Sequence, residues 1–165
     1  MHHLSPKESK GQSVPKQDNA IVVAADHAGF KLKEFVKKEL EKRGIPVEDV
    51  GVFSEERSDY PIFIARAASR VSNGTFSRGV VVCGSGIGAS MVANRFKNVR
   101  AALCVTPEMA RLSRQHNDAN VLALGERITS PDVAAKILAE WLDTPFEGGR
   151  HETRVRQIDT VDGSQ

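Results

Sequence analysis

The sequence predicts an α/β fold: a single three-layer α/β/α domain on a Rossmann-like, five-stranded parallel sheet. Three observations lead there. Apolar runs of strand length recur five times and alternate with amphipathic stretches of helical length. The central runs are apolar throughout rather than alternating, as strands covered on both faces are. The chain has 165 residues with no internal repeat and no linker, which is one domain, large enough for a core without staples.

Residues 1–19 are polar, hold Pro6, Gly11 and Pro15, and show no apolar period. They read as a flexible tail or cloning remnant, with the domain spanning 20–160. Ala20–Ala25 is the first strand. A helix follows with Phe30, Phe35, Val36 and Leu40 on one face and lysines and glutamates on the other, stopping near Gly44. Pro46–Gly51 reads as the second strand. Asp59, ahead of Tyr60-Pro61, is placed to cap a helix running to about Val71. Gly79–Cys83 is the third strand, followed by the turn Gly84-Ser85-Gly86-Ile87-Gly88 and a helix through Asn94. Ala101–Val105 is the fourth strand and Asn120–Leu124 the fifth. Thr106-Pro107 and Ser130-Pro131 are matching start signals for the helices that follow them, the second running to about Leu142. The last residues, from about Thr160, read as frayed.

Composition narrows the function. Lys and Arg number 23 against 21 Asp and Glu, a net charge of +2. That near-balance argues against a whole-surface nucleic-acid binder, though not against a local basic pocket. No run reaches the roughly 20 apolar residues of a membrane-spanning helix. Cys83 and Cys104 are too few for a disulfide scaffold and lack zinc-site spacing, so a reducing, cytoplasmic setting is the simpler reading.

In a sheet of this kind ligands sit at the carboxyl ends of the strands, near the switch in strand order. The polar residues there are Asp26-His27, the loop Gly84–Gly88, and Gly125–Arg127. The loop is neither a Walker motif nor a nucleophile elbow, and Ala89 stands where a dinucleotide fingerprint puts its third glycine. A strand–glycine turn–helix unit remains, whose backbone N–H groups suit an anion or oxyanion; the same residues also read as a plain tight turn. Cys83 abuts this loop, where helix N-terminal amides favour a thiolate that acts as nucleophile or base; packing is the alternative. Cys104, inside the fourth strand, is assigned to packing. Asp26-His27 reads as an exposed pair that passes a proton or binds a hydroxyl, or as a capped turn. His116-Asn117-Asp118 reads as a helix end as readily as a site. Arg150 and Arg154 share a face if their segment is helical, and two guanidinium groups without an acid between them suit a phosphate. Arg127 is placed to join them. Together these residues describe proton transfer beside the carbonyl of a small phosphorylated molecule.

Five stretches carry a resemblance: Ala25-Asp26-His27-Ala28-Gly29-Phe30, Asp59-Tyr60-Pro61, Cys83 through Gly88, Ser113 through Asn120, and Glu147-Gly148-Gly149-Arg150-His151-x-x-Arg154. In this order, from about 20 to 160, they resemble the sugar-phosphate isomerase family of ribose-5-phosphate isomerase B, which also contains galactose-6-phosphate isomerase subunits. The resemblance implies reversible conversion of D-ribose 5-phosphate to D-ribulose 5-phosphate, a step of the pentose phosphate pathway, with no metal or organic cofactor. It implies Cys83 as the base; relatives with Gly there carry Glu six residues on, and here that position is Ala89. It implies that Gly84, Ser85, Gly86, Ile87 and Gly88 hold the enediolate oxygens, with Ser85 where many relatives have Thr and able to relay protons. His116 matches the ring-opening acid, with Asn117 beside it, and Asp26 is placed near the acceptor of the anomeric proton. Asp26, His27, Tyr60, Asn117, Arg127, Arg150 and Arg154 match substrate-binding positions, the arginines mainly for phosphate. The family's sites are completed across a dimer interface, so a homodimer or dimer of dimers is implied, with no nucleic-acid or membrane partner.

The same residues admit three rival readings. An isomerase of a six-carbon substrate, allose or galactose 6-phosphate, is nearest. A non-catalytic sugar-phosphate-binding module is disfavoured by the presence of Cys83 and His116. A thiol redox protein is disfavoured because no resolving cysteine lies near Cys83.

Overall fold

The computed structural model describes residues 17–165. Five parallel strands, β1 (Gln17–Ala25), β2 (Val47–Asp49), β3 (Phe76–Cys83), β4 (Ala101–Leu103) and β5 (Val121–Gly125), lie in the order β2-β1-β3-β5-β4. Six helices accompany them: α1 (Phe30–Lys42), α2 (Tyr60–Ser72), α3 (Ile87–Ala93), α4 (Pro107–Asn117), α5 (Pro131–Asp143) and α6 (Arg150–Thr160). The predicted three-layer fold is the observed one.

Strand pleating explains the layers. Along β1 successive side chains alternate sides. Val22 and Ala24 join Ile64, Ala67 and Ala68 of α2 and Ala89 and Ala93 of α3 in one core. Ile21, Val23 and Ala25 join Leu32, Val36 and Leu40 of α1, Ala110 of α4, and Ile137, Leu138 and Trp141 of α5 in the other. Both faces of the central strands are covered, which is why those strands read as unbroken apolar runs. Buried Trp141 still satisfies its polar end, its Nε1–H donating to the Ala119 carbonyl at 3.2 Å.

Several boundaries differ from the sequence reading. The expected tail lies outside the described residues only as far as residue 16. Gln17–Asn19 belong to β1, because the Gln17 N–H donates to the Thr75 carbonyl at 2.8 Å and Gln17 pairs with Phe76. Backbone pairing thus draws in three polar residues that carry no apolar signal. The second and fourth strands are shorter than expected, which leaves Cys104 one residue past β4 rather than inside it. It is buried all the same, and burial pushes its thiol up to about 11 against a hydrogen bond with Ser113. Thr106 and Ser130 cap their helices as predicted, accepting from the Met109 and Val133 amides. Asp59 stands at the start of α2 but makes no side-chain cap bond; Pro61 occupies the first turn.

The face of α1 also differs. Lys33, expected on the solvent side, is fully buried. Its Nζ donates to both carboxylate oxygens of Asp49 at 2.8 Å and to the Val52 carbonyl. Phe30 and Phe35, expected to lead the apolar face, are half-buried. The ion pair joins α1 to the end of β2 and fixes the start of the loop that carries Ser58 and leads to Tyr60 at the head of α2.

Candidate active site

The switch in strand order falls between β1 and β3. At their carboxyl ends lies an open cleft of about 550 Å³, within the ordinary size of a small-molecule site. Asp26, His27, Tyr60, Cys83, Gly84, Ser85, Ile87, Gly88 and Arg127 all line it. Residues from four separate sequence stretches therefore converge where the topology directs them.

Each is held by local structure. Asp26 is buried rather than exposed, because its Oδ1 accepts the Gly29 N–H at 3.0 Å in the turn into α1. The capped-turn reading and the site reading thus describe the same carboxylate. His27 is half-buried and fixed by Ser58: its N–H donates to Ser58 Oγ at 3.0 Å, and its Nδ1 lies 3.1 Å from both the amide and the carbonyl of Ser58. Nε2 is the ring nitrogen that this loop does not engage. Ser58 gave no signal in the sequence; only the fold brings it to His27, thirty-one residues away.

Cys83, the last residue of β3, is 5% exposed, and its Sγ accepts the Gly86 N–H at 3.2 Å. Gly86 adopts φ +78, a left-handed conformation that costs a side-chain-bearing residue dearly. That conformation turns the loop back over the sulfur and starts α3. A Cβ on Gly88 would lie 2.6 Å from the Tyr60 ring, so the missing side chain lets the tyrosine close one wall of the cleft. The Ile87 N–H donates to Ser85 Oγ at 3.2 Å. Two amides of the loop are therefore engaged within it, by the sulfur and by the serine hydroxyl. Arg127 reaches this loop from the β5 end: its N–H donates to the Gly84 carbonyl at 2.9 Å, and its guanidinium lies beside Gly84.

The remaining predicted residues are elsewhere. His116, Asn117, Arg150 and Arg154 do not line the Cys83 cleft. His116 and Asn117 close α4, and Arg150 and Arg154 lie on α6, which is helical as the i, i+4 reading required. Both arginines and Asn117 are exposed. The Glu147 N–H donates to the Gln115 carbonyl at 3.1 Å, tying the approach to α6 against the end of α4.

That tie brings together His116, Glu147 and His151, with a potential ligand atom of each within 4.8 Å of the others, a cluster that sequence spacing does not show. The His116 and His151 rings are only 12° from parallel, with centroids 4.3 Å apart. Imidazole lone pairs lie in the ring plane, so those of stacked rings run side by side and do not converge on one ion about 2 Å from each. The arrangement is an aromatic stack rather than a chelating set.

The profile of a family described as Ribose/Galactose Isomerase matches residues 21–158. The chain is 43% identical over 142 residues to ribose-5-phosphate isomerase B of Escherichia coli, covering 86% of this chain and 95% of that one. It superposes with a TM-score of 0.83 on ribose 5-phosphate isomerase from Thermotoga maritima, at 47% identity over 86% of this chain and 98% of that one. A ribose-5-phosphate isomerase B structure from Mycoplasma genitalium with bound ribulose-5-phosphate gives a TM-score of 0.82 at 36% identity, covering 87% and 95% of the two chains.

Proposed function

The chain belongs to the ribose/galactose isomerase family, and from that premise we propose that it interconverts D-ribose 5-phosphate and D-ribulose 5-phosphate through a cis-enediolate, with Cys83 as the base. The observation that carries this reading is the sulfur of Cys83 in the wall of the strand-end cleft, under the Gly84–Gly88 turn and beside Asp26, His27 and Arg127.

The sugar phosphate enters mostly as a furanose. His116 gives a proton to the ring oxygen, and an acceptor near Asp26 takes one from the anomeric hydroxyl. The open aldehyde lies against the glycine turn, and the Cys83 thiolate removes the C2 proton. Negative charge grows on the oxygens at C1 and C2, and the turn's backbone amides meet it; one such donor is worth about 3 kcal/mol in the transition state. Cys83 returns the proton to C1, and Ser85 relays the proton between the two oxygens. No electron leaves the substrate, so no redox partner enters the balance. Arg127, Arg150 and Arg154 bind the phosphate, and binding energy from that remote group orients the reacting end.

The proposal includes a homodimer (or a dimer of dimers) with shared sites. His116, Asn117, Arg150 and Arg154 lie outside the Cys83 cleft, so a second copy of the chain is the source of the ring-opening acid and two of the arginines. Ile87, Met91 and Ile128 support this: all three line the same cleft and are at least half exposed, an apolar rim suited to a partner surface. Free Cys83 and Cys104 suit a reducing cytoplasm. Among the described residues no helix is long and apolar enough to cross a membrane.

A coupled assay with ribose 5-phosphate and allose 6-phosphate side by side tests the reading. The pentose phosphate is expected to be the better substrate by kcat/KM. Turnover of the hexose phosphate alone would reassign the substrate, and turnover of neither would leave a binding module.

A further inference from the structure

We propose that His151 is a positioning residue: its buried ring is the flat support that fixes how the His116 imidazole is presented. The inference rests on His116 acting as the ring-opening acid.

Among the described residues His116 makes no side-chain hydrogen bond. A catalytic imidazole is commonly oriented by a partner on its second nitrogen. Here the contact that orients it is a face: the His151 ring, 4.3 Å away and 12° from parallel. His151 suits this task. It is 6% exposed, it sits in the first turn of α6, and its backbone N–H donates to the Gly148 carbonyl at 3.1 Å. The Glu147-to-Gln115 backbone bond clamps that turn against the residue before His116. The buried Nε2 of His151 has no hydrogen-bond partner, and the nearest carboxylate oxygen, on Glu147, stands 3.6 Å off. A histidine placed for its Nε2 would be poorly served by this setting; one placed for its ring plane is not.

The surrounding charges agree. Burial, then Arg150, His116 and Arg154, hold the His151 imidazole below its ordinary range, against the opposing Glu147 carboxylate. A ring so placed resists taking a charge of its own. Two stacked rings would not both take a charge at this separation without mutual repulsion.

The test is a double-mutant cycle on the full chain in its native assembly, with ribose 5-phosphate as substrate and the His116 ring resonances as a second readout. His151→Ala is expected to lower kcat/KM by about 10- to 100-fold, the usual cost of misplacing a reacting group by an ångström. His151→Phe, which restores a flat ring, is expected to return activity to within about threefold of the native protein. The His151→Ala loss is expected to vanish in a His116→Asn background. In the NMR spectrum the His116 ring protons lose their ring-current displacement in His151→Ala and keep it in His151→Phe. Additive losses in the double variant, or a Phe variant as poor as Ala, would overturn the inference. A harmless His116→Asn would instead remove the ring-opening assignment on which it rests. If His151→Ala does not fold, the Phe variant and the resonances decide: a well-folded His151→Phe with crippled turnover and an undisplaced His116 signal rejects the role.

Discussion

Cys83 meets the Gly86 amide at 3.2 Å and is nearly sealed from solvent, and under the proposed mechanism it acts in the chemical step more than in capture of the substrate. Cys83→Ala is expected to lower kcat by at least the 10²- to 10⁴-fold typical of a lost general base, with KM changed little. Arg127→Ala and Arg154→Ala are expected to do the opposite. Under the proposal each would remove a charge-assisted contact to phosphate of about 1.5–3 kcal/mol and raise KM by roughly 10- to 100-fold with a smaller change in kcat. Steady-state kinetics separates the two classes. At this scale the sequence was legible wherever chemistry and position coincide. Asp26, His27, Cys83, Ser85 and Arg127 each end or follow a strand, and a parallel sheet gathers its strand ends. Ser58 and His151 were not legible as positioning groups. Their roles come from a backbone contact across thirty-one residues and from a ring stack between separate helices, neither of which leaves a spacing to read.

Among the elements, the helix caps and apolar runs gave away their positions, while α1 hid its most unusual residue. Lys33 belongs to a lysine-rich stretch, and only the partner at the end of β2 explains its burial. Deleting that partner strands a buried ammonium. Asp49→Ala is expected to destabilise the fold by about 3 kcal/mol, lowering Tm by roughly 10 °C in a chain this size. Lys33→Met in the same protein is expected to recover much of that loss, since an apolar side chain of similar reach fills the site without a charge. Thermal unfolding of the two variants measures both effects. The pair also sets an acid limit. Burial works against the Asp49 carboxylate, but hydrogen bonds from Lys33, Lys37 and the Gly51 amide outweigh it and hold the group below the usual carboxylate range. A depressed carboxyl stabilises the fold at pH values above its unfolded pKa, and this contribution fades as pH falls through the folded value. Denaturant unfolding between pH 7 and pH 2 is therefore expected to show a loss of stability below about pH 4, with a shallower slope in Asp49→Asn. The polar start of β1 is a second case of hidden structure: Gln17 is strand because the Thr75–Phe76 backbone pairs with it, not because of its own side chain.

For the whole molecule, the five-strand order was out of reach of sequence periodicity, which specifies elements but not neighbours; the strand-end rule nonetheless located the cleft. The separation of the predicted residues into a cleft group and an α4–α6 group has a functional consequence. If a second chain supplies His116, Cys83→Ala and His116→Asn proteins, each nearly inactive, are expected to regain activity when mixed and reassembled. Random pairing of equal amounts puts one intact site in half of the dimers, so about a quarter of native activity returns. No recovery, with exchange of subunits verified by mass, would place all catalytic groups in one chain.

Proton transfer by the Cys83 sulfur is tested most directly by running the isomerisation of ribose 5-phosphate in D2O with native and Cys83→Ala proteins and following hydrogen and deuterium at C1 of the ribulose 5-phosphate formed. The native protein is expected to form ribulose 5-phosphate that carries at C1 either the hydrogen moved from C2 or deuterium from the exchanged thiol, and the alanine variant to form neither above the uncatalysed rate. Product of either kind from Cys83→Ala at close to the native rate would contradict the assignment.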